Sequence, residues 1–147
     1  MIEYAPMENR DVAQIAALER QCFSEPWSET SVAGELTNPL SYWLVARDGG
    51  DLAGYVGSQT VLGESDMMNL AVSPDYRRRG IGENLVESLI RDLKKQGSHC
   101  LTLEVRESNL AARALYEKLG FVQIGLRPGY YHKPKENACI LRKVWSE

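Results

Sequence analysis

Cysteine and histidine are scarce in this chain, and the few present fall in no pattern that closes disulfides or binds metal. Cys22, Cys100 and Cys139 are odd in number and widely spaced, which suits neither a disulfide framework nor a tetrahedral zinc site. They are expected to be reduced and structural. The histidines, His99 and His132, have no partner at ligand spacing, so no metal is expected. No apolar run approaches the roughly 20 residues of a membrane helix, and Met1-Ile2-Glu3-Tyr4 does not open a basic segment followed by an apolar core. The protein is expected to be cytoplasmic and to bind no membrane. A net charge of −3 leaves no broad basic surface for nucleic acid. Repeats, low-complexity tracts and linkers are also missing, and a length of 147 residues buries one ordinary core but not two, so residues 1–147 are read as one domain.

What is present is periodicity that switches between strand and helix. Residues 1–5 can form a short strand, and Asn9 then reads as the cap of a helix whose stripe is Val12, Ile15, Leu18 and Cys22. A break at Ser24-Glu25-Pro26-Trp27 leads to Ser28, the cap of a second short helix ending before Asn38-Pro39. Tyr42 to Arg47, a turn at Asp48-Gly49-Gly50, Leu52 to Leu62, a turn at Gly63-Glu64-Ser65 and Met67 to Val72 make an antiparallel meander. After Gly82 comes an amphipathic helix carrying Leu85, Val86, Leu89, Ile90 and Leu93, closed by Gly97. Cys100 to Val105 is a strand, and Asn109 caps a helix with Ala112, Leu115 and Leu119 on its stripe, ending at Gly120. Strand, helix, strand and helix in succession make this an α/β chain in which 67–72 and 100–105 run parallel. Phe121 to Leu126 and Ala138 to Val144 read as closing strands, with Tyr130 and Tyr131 in the loop between them.

The stretch Pro74-Asp75-Tyr76-Arg77-Arg78-Arg79-Gly80-Ile81-Gly82 sets cations at the N-terminal end of a helix, where the dipole and the unpaired N–H groups already carry positive charge. Glycines at 80 and 82 let the backbone approach an anion closely. Two readings stand side by side: a solvated basic turn, and a phosphate or pyrophosphate cradle. A dinucleotide fingerprint would need glycine where Leu85 stands, and the P-loop triplet is absent.

Alternation along 100–105 puts Thr102 and Glu104 on the face opposite Leu101, Leu103 and Val105. Glu104 lies near the C-terminal end of that strand, where open α/β sheets bind ligands, and is either a solvated carboxylate or a general base. Tyr116, on the following helix, is either a core aromatic or an acid.

Arg77-Arg78-Arg79-Gly80-Ile81-Gly82 after an apolar strand resembles the acetyl-CoA signature of the GNAT N-acetyltransferase family. Leu103-Glu104-Val105-Arg106 with Asn109, Ala111, Ala112, Leu115, Tyr116, Gly120 and Phe121 resembles the second half of the same family. Glu19, Phe23-Ser24-Glu25-Pro26-Trp27-Ser28, Asn69-Leu70-Ala71-Val72, and Arg127 with Tyr130-Tyr131 extend the likeness to its ribosomal-protein-alanine N-acetyltransferase branch. The resemblance implies the GNAT fold: a mixed, twisted central sheet of about six to seven strands flanked by about four helices. It implies acetyl-CoA as acetyl donor, its pyrophosphate on residues 78–82 with Arg77, Arg78 and Arg79 adding charge, and its pantetheine arm along Leu70, Ala71 and Val72. The Val72 N–H would polarise the thioester. It further implies Glu104 as base, Tyr116 as acid, Asn109 as a cofactor contact, and as acceptor a protein N-terminus, the N-terminal alanine of a small-subunit ribosomal protein. A small-molecule amine acceptor, or a CoA-binding sensor without turnover, is the competing expectation. The chain departs from the branch at Asn137, where an aspartate is usual, and Lys133 and Lys135 precede it. Acceptor preference is therefore where a difference is expected.

Overall fold

The computed structural model describes residues 1–146. Its strands are β1 (Glu3–Pro6), β2 (Ser41–Asp48), β3 (Asp51–Val61), β4 (Glu64–Val72), β5 (Cys100–Arg106), β6 (Val122–His132) and β7 (Lys135–Val144), and its helices are α1 (Val12–Cys22), α2 (Glu29–Glu35), α3 (Ile81–Lys95) and α4 (Leu110–Lys118). The strands form one seven-stranded sheet in the order β1-β2-β3-β4-β5-β7-β6. Every pairing is antiparallel except β4 with β5. Among the described residues, no helix is long and apolar enough to cross a membrane.

Two clusters of buried side chains cover the two faces of the sheet. The stripe of α3, with Leu85, Val86, Leu89 and Leu93, packs with Leu101, Leu103 and Phe121. On the other face α1 and α2 bring Ile15, Leu18 and Val32 onto Trp43, Val45 and Tyr55. Ser28 caps α2 by accepting from the Ser31 N–H at 3.0 Å, and Asn109 caps α4 by accepting from the Ala112 N–H at 3.1 Å, as the sequence predicts.

Three expectations are corrected and one is refined. The strands β4 and β5 run parallel as expected, but they are paired only at Glu64–Asp66 against Cys100–Thr102. A register shift between Gly57 and Ser58 irregularises the β3–β4 ladder, and beyond Asp66 and Thr102 the strands β4 and β5 are no longer partners. Tyr130 and Tyr131 stand in β6 rather than in a loop, because the strand absorbs Pro128 and Gly129 as an irregularity between Arg127 and Tyr131. The second meander turn is shorter than expected, since β4 already begins at Glu64. Finally, Asn9 is no cap. It begins a 3-10 turn whose cap is Glu8, in a reciprocal capping box with Asp11.

Asp11 explains that shift of the helix start. Its buried carboxylate accepts from the Glu8 N–H at 2.8 Å and forks onto Arg47, with Nε at 2.9 Å and Nη2 at 2.6 Å. Burial works against the charge, but the Arg47 guanidinium and the Glu8 N–H outweigh it and hold the carboxyl below its ordinary range. A lowered folded pKa contributes stability that is present above the unfolded value and lost as pH falls through the folded one. Urea unfolding should therefore find Asp11→Asn less stable than the parent by about 3–5 kcal/mol at pH 7. The difference should start to shrink below about pH 4, where the unfolded chain's carboxyl takes up its proton, and go on shrinking until the pH passes the lower folded value. A difference independent of pH would show that the carboxylate charge contributes nothing.

Candidate active site

The site begins where β4 and β5 separate. The Ser73 N–H donates to the Ala53 carbonyl at 2.8 Å, which fixes the phase of the antiparallel β3–β4 ladder. Ala71, opposite Tyr55, shares that phase and bonds to β3; Val72 opposite Gly54 and Leu70 opposite Val56 are in the other phase. Their N–H and C=O groups are thus turned from β3 toward the side where β5 has departed. The result is a cleft of about 690 Å³, with Met67 to Leu70 on one wall, Leu103 to Arg106 on another and Cys22 to Glu25 with Trp27 on a third.

At the far end of β4, the chain makes a 3-10 turn at Pro74–Tyr76 and reaches α3 through two left-handed residues, Arg78 at φ 65° and Gly80 at φ 74°. The Asn84 N–H already donates to the Gly80 carbonyl, so the earlier N–H groups at 81–83 are those that a helix leaves unpaired. A Cβ on Gly82 would meet Val72 and Leu115 only at 3.6 and 3.9 Å. The protein's own packing does not require glycine there.

The arginine side chains are not gathered on one point. Arg77 donates through Nε to the Val72 carbonyl at 3.2 Å, while Arg79 lies over the Tyr76 ring at 5.1 Å, and the Tyr76 hydroxyl donates to Asp48 at 2.8 Å. Arg79 also lines a separate cavity of about 440 Å³ with Asp48, Asp51 and Asp75. Arg77, Arg78 and Arg79 are all exposed. Backbone groups, rather than three converging guanidinium groups, shape the turn.

Leu70, Glu104, Asn109 and Tyr116 all line the cleft; Ala71 and Val72 continue β4 beyond it toward the turn. Glu104 keeps 26% of its side chain exposed and lies 3.4 Å from Nε of Arg127. Burial raises its pKa, Arg127 opposes that rise, and Asp66 adds to it. Tyr116 is buried, packs edge-to-face on Phe121 with ring centres 5.5 Å apart, and donates its hydroxyl to Met67 Sδ at 3.7 Å. Burial, with Tyr131 nearby, pushes its phenol well above the ordinary range, so it holds its proton at neutral pH. One cleft therefore offers an ionisable carboxylate and a protonated phenol.

Sequence reasoning assigned no chemical role to Tyr131 or Glu136 and tied Asn137 to acceptor preference. Tyr131 lies under the Arg106 guanidinium at 4.3 Å, and burial helps push its phenol up to about 12. Asn137 does not face the cleft. It accepts from the Gly129 N–H at 2.9 Å and donates to Glu107 at 3.2 Å, bracing β6 against the start of α4. Glu136 likewise accepts from the Ser108 N–H at 2.6 Å and pairs with Arg106 at 3.2 Å. No local signal marks these roles, since each partner is 8 to 30 residues away in the chain. Among the described residues, no group of three or more His, Cys, Asp or Glu could hold a metal.

Residues 12–121 match the acetyltransferase (GNAT) family. The [ribosomal protein bS18]-alanine N-acetyltransferase of Escherichia coli K12 is 40% identical over 137 residues, which cover 92% of either chain. The crystal structure of the ribosomal-protein-S18-alanine N-acetyltransferase from Escherichia coli superposes with a TM-score of 0.91 at 36% identity, covering 100% of this chain and 96% of that one. Arabidopsis thaliana NAA60, crystallised with acetyl-CoA, shares the fold at a TM-score of 0.89 and 17% identity, covering 98% of each chain.

The electrostatics of Glu104 can be tested without any substrate. A carboxyl-detected NMR titration should place its midpoint above the ordinary glutamate value of about 4.3. Arg127→Ala removes a cation that favours the charged form and should move the midpoint higher. A midpoint that falls or stays fixed in Arg127→Ala would mean that the pair is not formed in solution.

Proposed function

The chain belongs to the GNAT acetyltransferase family, and from that membership we propose that it transfers the acetyl group of acetyl-CoA to the N-terminal α-amino group of a protein, the N-terminal alanine of a small-subunit ribosomal protein. One observation carries this reading: β4 and β5 are parallel partners for three residue pairs and then part, and the cleft so opened holds both Glu104 and Tyr116. A β4 edge turned toward such a gap can take an extended, amide-bearing arm as though it were a further strand. The pantetheine arm of CoA has that character, and its pyrophosphate would then meet the N–H groups of residues 78–82 at the start of α3.

Each chemical task then has a residue of suitable chemistry. The Val72 N–H donates to the thioester carbonyl as negative charge develops on its oxygen. An α-amino group attacks only when neutral, and at pH 7 it is largely protonated. Glu104, directly or through water, takes the ammonium's proton so that the neutral amine can attack; the second proton, lost as the C–N bond forms, passes to solvent, and exchange with solvent afterwards restores Glu104 and Tyr116. The C–S bond then breaks, and Tyr116 gives its proton to the departing thiolate. No acyl-enzyme is needed, because holding amine and thioester together supplies the main advantage. Asn109 is committed to its cap, so a cofactor contact from it would use the amide nitrogen.

The ribosomal acceptor draws on the relatives of known name, whose names specify that alanine. The departure at Asn137 weighs little against it, since Asn137 and Glu136 are both occupied in bracing the scaffold.

Incubating the protein with acetyl-CoA and a peptide copying the N-terminus of that ribosomal protein should give a single acetylated α-amine by mass spectrometry. Glu104→Gln should lower kcat/KM by about 10²–10⁴-fold while leaving acetyl-CoA affinity within about twofold. Turnover on polyamines with none on the peptide would replace the protein acceptor by a small amine.

A further inference from the structure

Glu19 is a fully buried carboxylate for which the transfer chemistry has no use. It lies in the last turn of α1, and its two oxygens reach three separate elements. One oxygen accepts from the Trp27 N–H at 2.9 Å; the other accepts from the Tyr55 hydroxyl of β3 and from Nδ2 of Asn69 in β4 at 2.7 Å. Trp27 belongs to the cleft wall made by residues 22–27, and Asn69 immediately precedes Leu70 in the wall made by β4. The carboxylate is therefore a tie across the cleft, between the segment that closes it and the strand assigned to the acetyl donor.

The aromatic side chains beneath repeat the connection. The Trp27 ring meets Trp43 edge-on at 5.4 Å, and Trp43 stacks on Tyr55 at 5.8 Å with only 9° between planes. Gly57 makes room for that stack, since a Cβ there would fall 2.4 Å from the Trp43 ring. The chain of contacts thus leaves Glu19 through Trp27 and returns to it through the Tyr55 hydroxyl.

None of the three partners is a cation, so desolvation of this carboxylate is offset only by hydrogen bonds. Three donors aimed at two oxygens fix direction as well as distance, which apolar packing in the same volume would not do. We propose that Glu19 is a positioning residue for the acceptor. It holds the 23–27 segment at a set distance from β4, so that the amine reaches the thioester in line. This rests on the acetyl-transfer reading above and adds to it a determinant of acceptor geometry that touches neither reactant.

The polarity of the tie gives a specific test on the full chain. Glu19→Gln keeps an acceptor for the Trp27 N–H but sets an amide donor against the donors of Tyr55 and Asn69. Asn69→Asp in the same protein restores an acceptor there. Glu19→Gln should raise the KM for the alanine peptide by about tenfold or more, with acetyl-CoA affinity by calorimetry within about twofold, and the double variant should recover most of the loss. Equal losses for donor and acceptor, tracking the folded fraction, would reduce Glu19 to a stabilising residue and overturn the proposal. If Glu19→Gln does not fold, Asn69→Ala, which leaves the Trp27 and Tyr55 contacts in place, should raise the acceptor KM by itself. Hydrogen exchange of residues 22–28 in the free protein needs no acceptor. It should quicken in Glu19→Gln and Asn69→Ala and return in the double variant, and unchanged exchange overturns the tie. A parent protein that fails on the peptide would condemn the acceptor assignment, while the exchange comparison would still decide the role of Glu19.

Discussion

The feature on which the rest of this structure depends is a parallel pairing that stops early. β4 and β5 are partners only from Glu64 to Asp66 and from Cys100 to Thr102. Backbone N–H and C=O groups in a sheet interior need partners, and a strand that loses its neighbour must find another or face water. Here the loss occurs mid-sheet, between strands that remain firmly held on their other sides by β3 and β7. Both walls of the gap are thus hydrogen-bonded into the sheet on their far sides, and the unpaired edge faces the cleft. Close approach of β3 and β4 helps to hold one wall: a Cβ on Gly54 would lie 2.8 Å from the Ala71 carbonyl oxygen, so a larger residue would push β4 into the gap.

Burial then acts on two groups in one direction with opposite chemical results. It raises the pKa of both Glu104 and Tyr116. For a carboxylate the rise strengthens proton affinity, which the proposed base needs; for a phenol it keeps the hydroxyl protonated and available as a hydrogen-bond donor to the departing sulfur. Arg127 restrains the first effect. Without that opposing charge, desolvation together with Asp66 would raise the carboxyl further. Arg127 is itself more than half exposed, so it offsets the rise without cancelling it.

How much of this was legible in the sequence depended on how local each signal is. The stripe of α3, the caps at Ser28 and Asn109 and the face of Glu104 follow from spacings of two to four residues, and all were readable. Register is set between distant segments, so the three-residue extent of the parallel pairing left no mark on either strand. Pro128 and Gly129 have the composition of a loop, and only pairing with β7 draws them into β6. Asn9 has the chemistry of a cap, but the Arg47 partner of Asp11 moves the helix start, and that partner is 36 residues away. Glu104 and Tyr116 could be listed as titratable groups; that they share a cleft needed either the family resemblance or the coordinates.

The three arginines of the run take different positions around the turn. Three guanidinium groups beside a helix N-terminus suggest that the side chains bind the anion, yet Arg77 reaches back to the Val72 carbonyl and Arg79 lies on Tyr76. On the proposed mechanism the Arg77 contact has a clear consequence. In the β4 phase that leaves Val72 unbonded to β3, its N–H and its C=O both turn toward the gap. The N–H would stabilise an oxyanion there, and a bare carbonyl dipole on the same residue would partly cancel it. A guanidinium on that carbonyl neutralises the opposing dipole and ties the turn to the end of the strand in the same contact. Arg77 is then worth more turned inward than it would be as one of three cations facing a pyrophosphate, whose charge the helix N-terminus already meets through the main chain.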